Sequence, residues 1–378
     1  MNKLRLPLFF LLAAAACSDK SLYNDAAKAF ERHSYQQHSP GKVRELLETK
    51  GFSGLTVLDS RALLIKAKRQ VRQKPPRSEV SSGLLAGYRN GAVYVFKVFQ
   101  NSPAAAAGLK DGDRIVEIDG VKASPQAVAE RMDAGFGFSL KTERRLAKGA
   151  ALADAAVKRE AFFFPLIFGF YEPGSETAYV KIGMFVQGSS ATVISGLEAL
   201  TGLGAKKIVF DLRGSGGGMP EEAAGLLAAF APRAGAVLEI KSRHPGYCRN
   251  FEARGRGRFA GLKTAVLIDG ATAMAAEIFA QSLRELAGAR LVGGPTLGSV
   301  SVIRTFRLGR GTKGLELSVA RLFPPSGLDL EGGGAAPDFQ LELTRAQEKE
   351  IREEWGASSE LALLGDRAYG KALEILSK

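Results

Sequence analysis

Reactive side chains are scarce in this chain, which has two cysteines and three histidines among its 378 residues. Neither cysteine sits in a spacing that suggests a redox pair, and "PGYC" gives no reason to expect a catalytic thiol at Cys248. His33 and His38 fall in the N-terminal region and His244 in an expected hairpin, away from any nucleophile. His244 with Cys248 is two ligands short of a zinc site, so no metal is expected. The Gly-rich turn "RGSGGG" lacks the Lys-Ser/Thr ending of a phosphate-binding loop, which argues against nucleotide binding. No cofactor is implied. Beyond the first 17 residues no segment is apolar enough to span a membrane.

What is present divides the chain. "MNKLRLPLFFLLAAAAC" has a basic start at Lys3 and Arg5 and an apolar run from Leu6 to Ala16, too short to cross a bilayer and suited to a secretory signal. Its end, "AAAAC", resembles a bacterial lipoprotein box with Cys17 as the lipidated first residue of the mature chain, although Ala14 stands where Leu is usual. Cleavage at an A-x-A-like site is the alternative. With Cys17 lipidated, Cys248 has no partner and no intramolecular disulfide is expected. Ser18, rather than Asp, follows the cysteine, so the expectation is an envelope lipoprotein exported across the inner membrane. It would be held in the outer membrane, facing the periplasm. The formal charge is +13. Without Lys3 and Arg5 there remain 50 basic and 39 acidic residues, or +11. That excess reads as a basic solvated surface, with an anionic membrane or acidic partners as the alternative.

Residues 18–78 read as helical: "SLYNDAAKAFERH", then "SPGKVRELLETKG" with a Ser-Pro start and Gly stop, then "ALLIKAKRQVRQK". "KPPRSEVSSG" is a linker. Residues 79–160 change character. "GAVYVFKVF" is strand-like, "NSPAAAAGLKDGDRIVEIDG" holds a short Pro-started helix, two turns and a strand, and "SPQAVAERM" is an N-capped helix. From 161 to 345 strands alternate with helices, the pattern of an α/β layer with parallel pairing. Residues 346–378 end the chain in helices; the tail reads as two amphipathic ones, "LTRAQEKEIREEWG" and "ELALLGDRAYGKALEILSK". "RGRGR" at 254–258 reads as a solvated turn in an exported protein, and no nucleic-acid partner is expected.

Two regions carry a resemblance. "NSPAAAAGLKDGDRIVEIDG" is similar to the corresponding segment of bacterial PDZ domains. "IVFDLRGSGGG", "AVLIDGATAMAAEIFAQSL", "ARLVGGPTLGSVSV", "ELSVARLFPPSG" and "GGGAAPD" resemble, in order, the core of the C-terminal processing (tail-specific) proteases. The resemblance covers residues 80–340 and implies a crotonase-like α/β protease core with an inserted PDZ-like β-rich domain. It also implies Ser–Lys chemistry, in which a helix-start serine attacks the peptide carbonyl and a desolvated lysine takes its proton.

Aligned on Glu277-Ile278, however, the nucleophile position is Met274. The lysine position is Ser299, and the glutamine that supports the lysine falls on Ile303. A thioether cannot attack an amide, and a serine hydroxyl cannot replace a neutral amine as base. By the same resemblance Gly217 or Gly218, with the N–H of Ala275, forms an oxyanion-like pair. Gly83, Leu84, Leu85 and Ala86 stand where such domains receive a peptide C-terminus, with Val128 and Met132 as candidates to line the groove; the alternative is that these are core residues and the groove is closed. The expectation is a non-catalytic homologue that binds peptides or protein C-termini, alone or beside an active envelope protease. The rival is a serine-type peptidase using Thr272, Ser299 or Ser301 in a rearranged site; bare capping is the plainer role for such hydroxyls.

Overall fold

Short apolar runs bounded by turns, and helices with polar starts and glycine stops, set the elements. The computed structural model describes residues 9–59, 62–66, 79–89, 91–133, 137–146, 149–309, 313–341, 363 and 366–378. The chain forms two units: one of residues 1–74, 238–251 and 299–331, the other of residues 75–237, 252–298 and 332–378.

In the first unit, helix Phe9–His33 precedes helix Pro40–Lys50, whose Ser39 N-cap accepts the Lys42 N–H and whose first position is proline. Their apolar faces, with Ala26, Phe30, Val43 and Leu47, pack with Leu55, Leu315 and Leu317. The sheet behind them joins Leu63–Lys66, Ser301–Leu308, Lys313–Phe323, Gly235–Lys241 and Arg249–Ala253. One expectation is overturned here. The stretch "ALLIKAK" was expected to continue the helices, yet Leu63–Lys66 is a strand, antiparallel to Lys313–Glu316. Four residues are too few for the periodicity to distinguish strand from helix, and the partner strand lies some 250 positions downstream. Two stretches expected within the α/β core, 238–251 and 299–331, also belong to this unit.

The second unit holds two sheets of six strands. One runs Leu84–Arg89, Ala92–Val98, Arg114–Ile118, Phe138–Arg145, Ala150–Val157, with the short Val121–Lys122 beside Arg114–Ile118. Leu84 and Ala86 face the domain's own core with Ile115, Ile118, Val128, Met132 and Leu140. Leu85 points the opposite way, as alternation along a strand requires. It joins Phe96, Phe99, Phe170, Tyr179, Val209 and Tyr369. This second cluster fastens the PDZ-like sheet to the α/β layer.

The other sheet orders Ile167–Glu172, Thr177–Ile182, Lys207–Asp211, Lys263–Ile268, Arg290–Gly293, Phe339–Gln340. Its first pair is antiparallel and the other four are parallel. "KIVFD" and "KTAVLI" are nearly continuous apolar runs because strands inside a parallel layer are covered on both faces. Of the two tail helices, Arg367–Ser377 forms, and "LTRAQEKEIREEWG", residues 343–356, lies outside the described residues.

Candidate functional site

Two strand ends supply the site in the second unit. Lys207–Asp211 leads into the glycine turn, and Lys263–Ile268 leads through Asp269 to helix Met274–Ala287. Asp269 ties the two turns together. Its Oδ1 accepts the N–H of Gly214 at 3.0 Å, of Ala271 at 3.1 Å and of Thr272 at 2.9 Å. The Ala273 N–H donates to the Ser215 carbonyl at 3.0 Å.

The structure brings Gly217, Met274 and Ala275 together. A Cβ added to Gly217 would lie 2.6 Å from the Met274 Cβ and 2.9 Å from the Ala275 nitrogen. Gly217 also has φ +92°, so both space and conformation demand glycine. Its carbonyl accepts the Phe185 N–H at 2.7 Å, and the Met219 N–H donates to the Phe185 carbonyl at 2.8 Å, which fixes the turn against Phe185. Among the described residues, no acceptor takes the N–H groups of Gly217, Gly218 or Ala275. They are the donors an oxyanion or carboxylate would use.

Met274 is half-buried and has φ +52°, a left-handed conformation unusual for a side chain of its kind. Strain of this sort costs about 1–3 kcal/mol and persists only where the surroundings impose it. Here the Ala273 N–H bond, the close approach of Gly217 and the Leu297 N–H bond to the Thr272 carbonyl (2.9 Å) impose it. The side chain held on this kink is a thioether.

Thr272 is wholly buried. Its hydroxyl donates to the Leu212 carbonyl at 2.9 Å, lies 3.0 Å from Asp269 Oδ1 and accepts the Asp269 N–H at 3.1 Å. A hydroxyl so committed is structural. Ser299 and Ile303 belong to the first unit. Ser299 is half-buried, and Ile303 is 42% exposed in strand Ser301–Leu308. The Ser301 hydroxyl donates to Glu331 Oε2 at 3.0 Å, which also receives the Val300 N–H.

Val128 and Met132 depart from expectation: both have no exposed surface and pack on Leu84 and Ala86. Helix Pro125–Asp133 thus contributes these two side chains to the domain's buried core. The Gly83 N–H, expected to await a carboxylate, donates to the Ser81 hydroxyl at 2.8 Å. Cys17 lies on helix Phe9–His33. Among the described residues no group of three metal-ligating side chains occurs, and no helix is long and apolar enough to cross a membrane.

The sequence reading missed a buried charge network at the same strand ends. Asp211 accepts hydrogen bonds from the Tyr179 hydroxyl at 2.7 Å, Lys181 at 3.0 Å and Arg213 at 2.6 Å. Burial alone would raise the Asp211 carboxyl, but the charges of Arg213 and Lys181 and the hydrogen bonds outweigh it and hold it well below the usual range. Arg213 also reaches Asp366, the N-cap of the last helix, which accepts the Tyr369 N–H. Lys181, an amine in an apolar strand, is engaged here rather than serving as a base. Charged residues inside "AYVKIG" and "VFDLRG" were the available signal.

The description "Peptidase family S41" matches residues 176–341, and "PDZ domain" matches residues 67–132. The chain thus carries a peptidase family S41 domain and a PDZ domain. A relative named carboxy-terminal processing protease CtpA from Bacillus subtilis (strain 168) is 25% identical over 258 residues, covering 68% of this chain and 54% of that protein. A carboxy-terminal-processing protease of Bartonella bacilliformis is 25% identical over 339 residues, covering 86% of this chain and 77% of that protein. Against the Bacillus relative, then, this chain spans about half the partner's length. In fold it is similar to the photosystem II D1 C-terminal processing protease, with TM-score 0.53, 19% identity and coverage of 92% of this chain and 100% of that one. A putative S41 protease from Bacteroides fragilis gives TM-score 0.53 at 15% identity, covering 93% and 96%. The S41 core with a PDZ domain is therefore the shared fold. The turn that carries Met274 lies within the matched S41 segment.

Proposed function

We propose that this chain is a non-catalytic member of family S41: a cell-envelope lipoprotein, anchored through Cys17, that holds peptides or protein C-termini without cutting them. The observation that carries the reading is Met274, set on a strained backbone beside three unengaged N–H groups. An extended peptide can still lay a carbonyl or terminal carboxylate on those donors. Met219 and Leu297, 41% and 54% exposed, give apolar contact beside the turn. Strand Leu84–Arg89 ends its sheet, and strand addition there is the second mode of capture. The anchor is supported by the sequence at 1–17 alone, and an active envelope protease is a fitting partner for a binder of this kind.

The test incubates the purified protein with an unfolded substrate ending in apolar residues, then titrates it with the corresponding C-terminal peptide. Saturable binding with no cleavage is expected, and amidation of the peptide's C-terminus weakens it. Cleavage that disappears in Thr272→Ala or Ser299→Ala would overturn the reading in favour of a rearranged peptidase.

A further inference from the structure

The positive charge is not spread evenly. The unit of residues 1–74, 238–251 and 299–331 has 22 Lys and Arg against 10 Asp and Glu, a net +12. The rest of the chain has 30 against 29, a net +1. A generally basic surface would not divide in this way.

Part of that charge gathers around His33. Its Nδ1 lies 2.9 Å from the Tyr247 hydroxyl, and its ring stacks on Phe306 at 4.4 Å. Arg304 lies over the Tyr247 ring at 5.0 Å, and the His244 ring is 5.3 Å from the same tyrosine. Arg243 caps the end of helix Phe9–His33 by donating to the Glu31 and Ser34 carbonyls, which places its charge where the helix dipole favours it. Burial holds the His33 imidazole below its ordinary range. The neighbouring charges of His244, Arg32, Arg304 and Arg243 push it the same way. Arg32, Arg243 and Arg304 are exposed.

We propose that this arginine cluster, centred on Arg32 and Arg304, docks the protein on a membrane surface rich in anionic phospholipid. Arg304 already lies over the Tyr247 ring, and Phe306 already stacks on His33. What the patch offers is exposed guanidinium charge, which suits phosphate headgroups. Continuity supports the same occupant: the helix that ends at His33 runs back to Cys17, the proposed anchor point. Sixteen residues of helix are about 24 Å, so patch and anchor point stay within reach of one surface. One acyl chain binds a bilayer only marginally, and basic residues are the usual second attachment.

The test uses the mature chain from residue 17 carrying Cys17→Ser, so neither an acyl chain nor the apolar signal contributes and the result is separate from the lipoprotein reading. It is co-sedimented with vesicles of phosphatidylcholine alone and with vesicles containing roughly one third phosphatidylglycerol. Binding to the anionic vesicles only, lost at high salt, is expected. Arg32→Ala with Arg304→Ala should weaken it about tenfold. Arg32→Lys with Arg304→Lys should retain it, as should Arg233→Ala on the near-neutral unit. Equal binding to both vesicles would overturn the proposal, as would a double alanine variant that binds like Arg233→Ala. So would displacement by glycerophosphate, a duplex oligonucleotide or polyglutamate at matched charge, which would mark an unselective anion patch.

Discussion

Arg213 joins Asp211, two residues before it, to Asp366, 153 residues after it, with 2.6 Å contacts on both sides. The glycine turn and the last helix are thereby held by one guanidinium. Asp211 has only 3% of its side chain exposed, so removing its charge strands Arg213 and Lys181. Asp211→Asn should destabilise the second unit by about 3–5 kcal/mol, read by urea unfolding.

The same network predicts a pH dependence. The Asp211 carboxyl is depressed in the folded state, so its contribution is fully present above its unfolded value of 3.8 and is lost as pH falls below that toward the folded value. Thermal midpoints should therefore fall more steeply below about pH 4 in the native protein than in Asp211→Asn. Parallel curves would show that the carboxylate is not coupled to folding.

Gly217→Ala should cost at least about 2 kcal/mol, since the new methyl meets the Met274 Cβ and the backbone also has to hold φ +92°. Gly216→Ala, with open space at its Cβ and no positive φ, is the matched control and should unfold at nearly the native denaturant concentration.

Thr272→Val keeps the volume and removes the hydroxyl. It should destabilise by about 1–3 kcal/mol because the Asp269 N–H loses its acceptor and the Leu212 carbonyl keeps only the Ser215 N–H. Peptide affinity at the Gly217–Ala275 donors should change little if the fold is intact, which isothermal titration of the variant against a C-terminal peptide would measure.

Met274→Ser alone should give no proteolysis, because no base accompanies the new hydroxyl. Adding Ser299→Lys restores both side chains that the family resemblance places there, and slow cleavage of an unfolded substrate is expected. Cleavage by the single variant would show that another group already serves as base.

The strand, turn and helix from Val266 to Leu283 were legible in the sequence, because a buried apolar run, Asp-Gly and an apolar periodicity of 3.6 all agree there. The glycine turn was legible for the same reason. Strand Leu63–Lys66 was not, since its only distinguishing feature is a partner far along the chain. The apolar face at Val128 and Met132 was visible, but apolarity is shared by a groove wall and a core, and only packing against Leu84 decides between them. The left-handed backbone at Met274 left no trace in the residue itself. Its cause is spread over Ser215, Gly217 and Leu297, each unremarkable alone.

That dispersal bears on how such a chain can change. Since neighbours dictate the kink, whichever side chain occupies position 274 inherits its presentation without having to shape it. Chemistry there can be exchanged one residue at a time on an unaltered scaffold, and the turn remains a socket open to re-equipment.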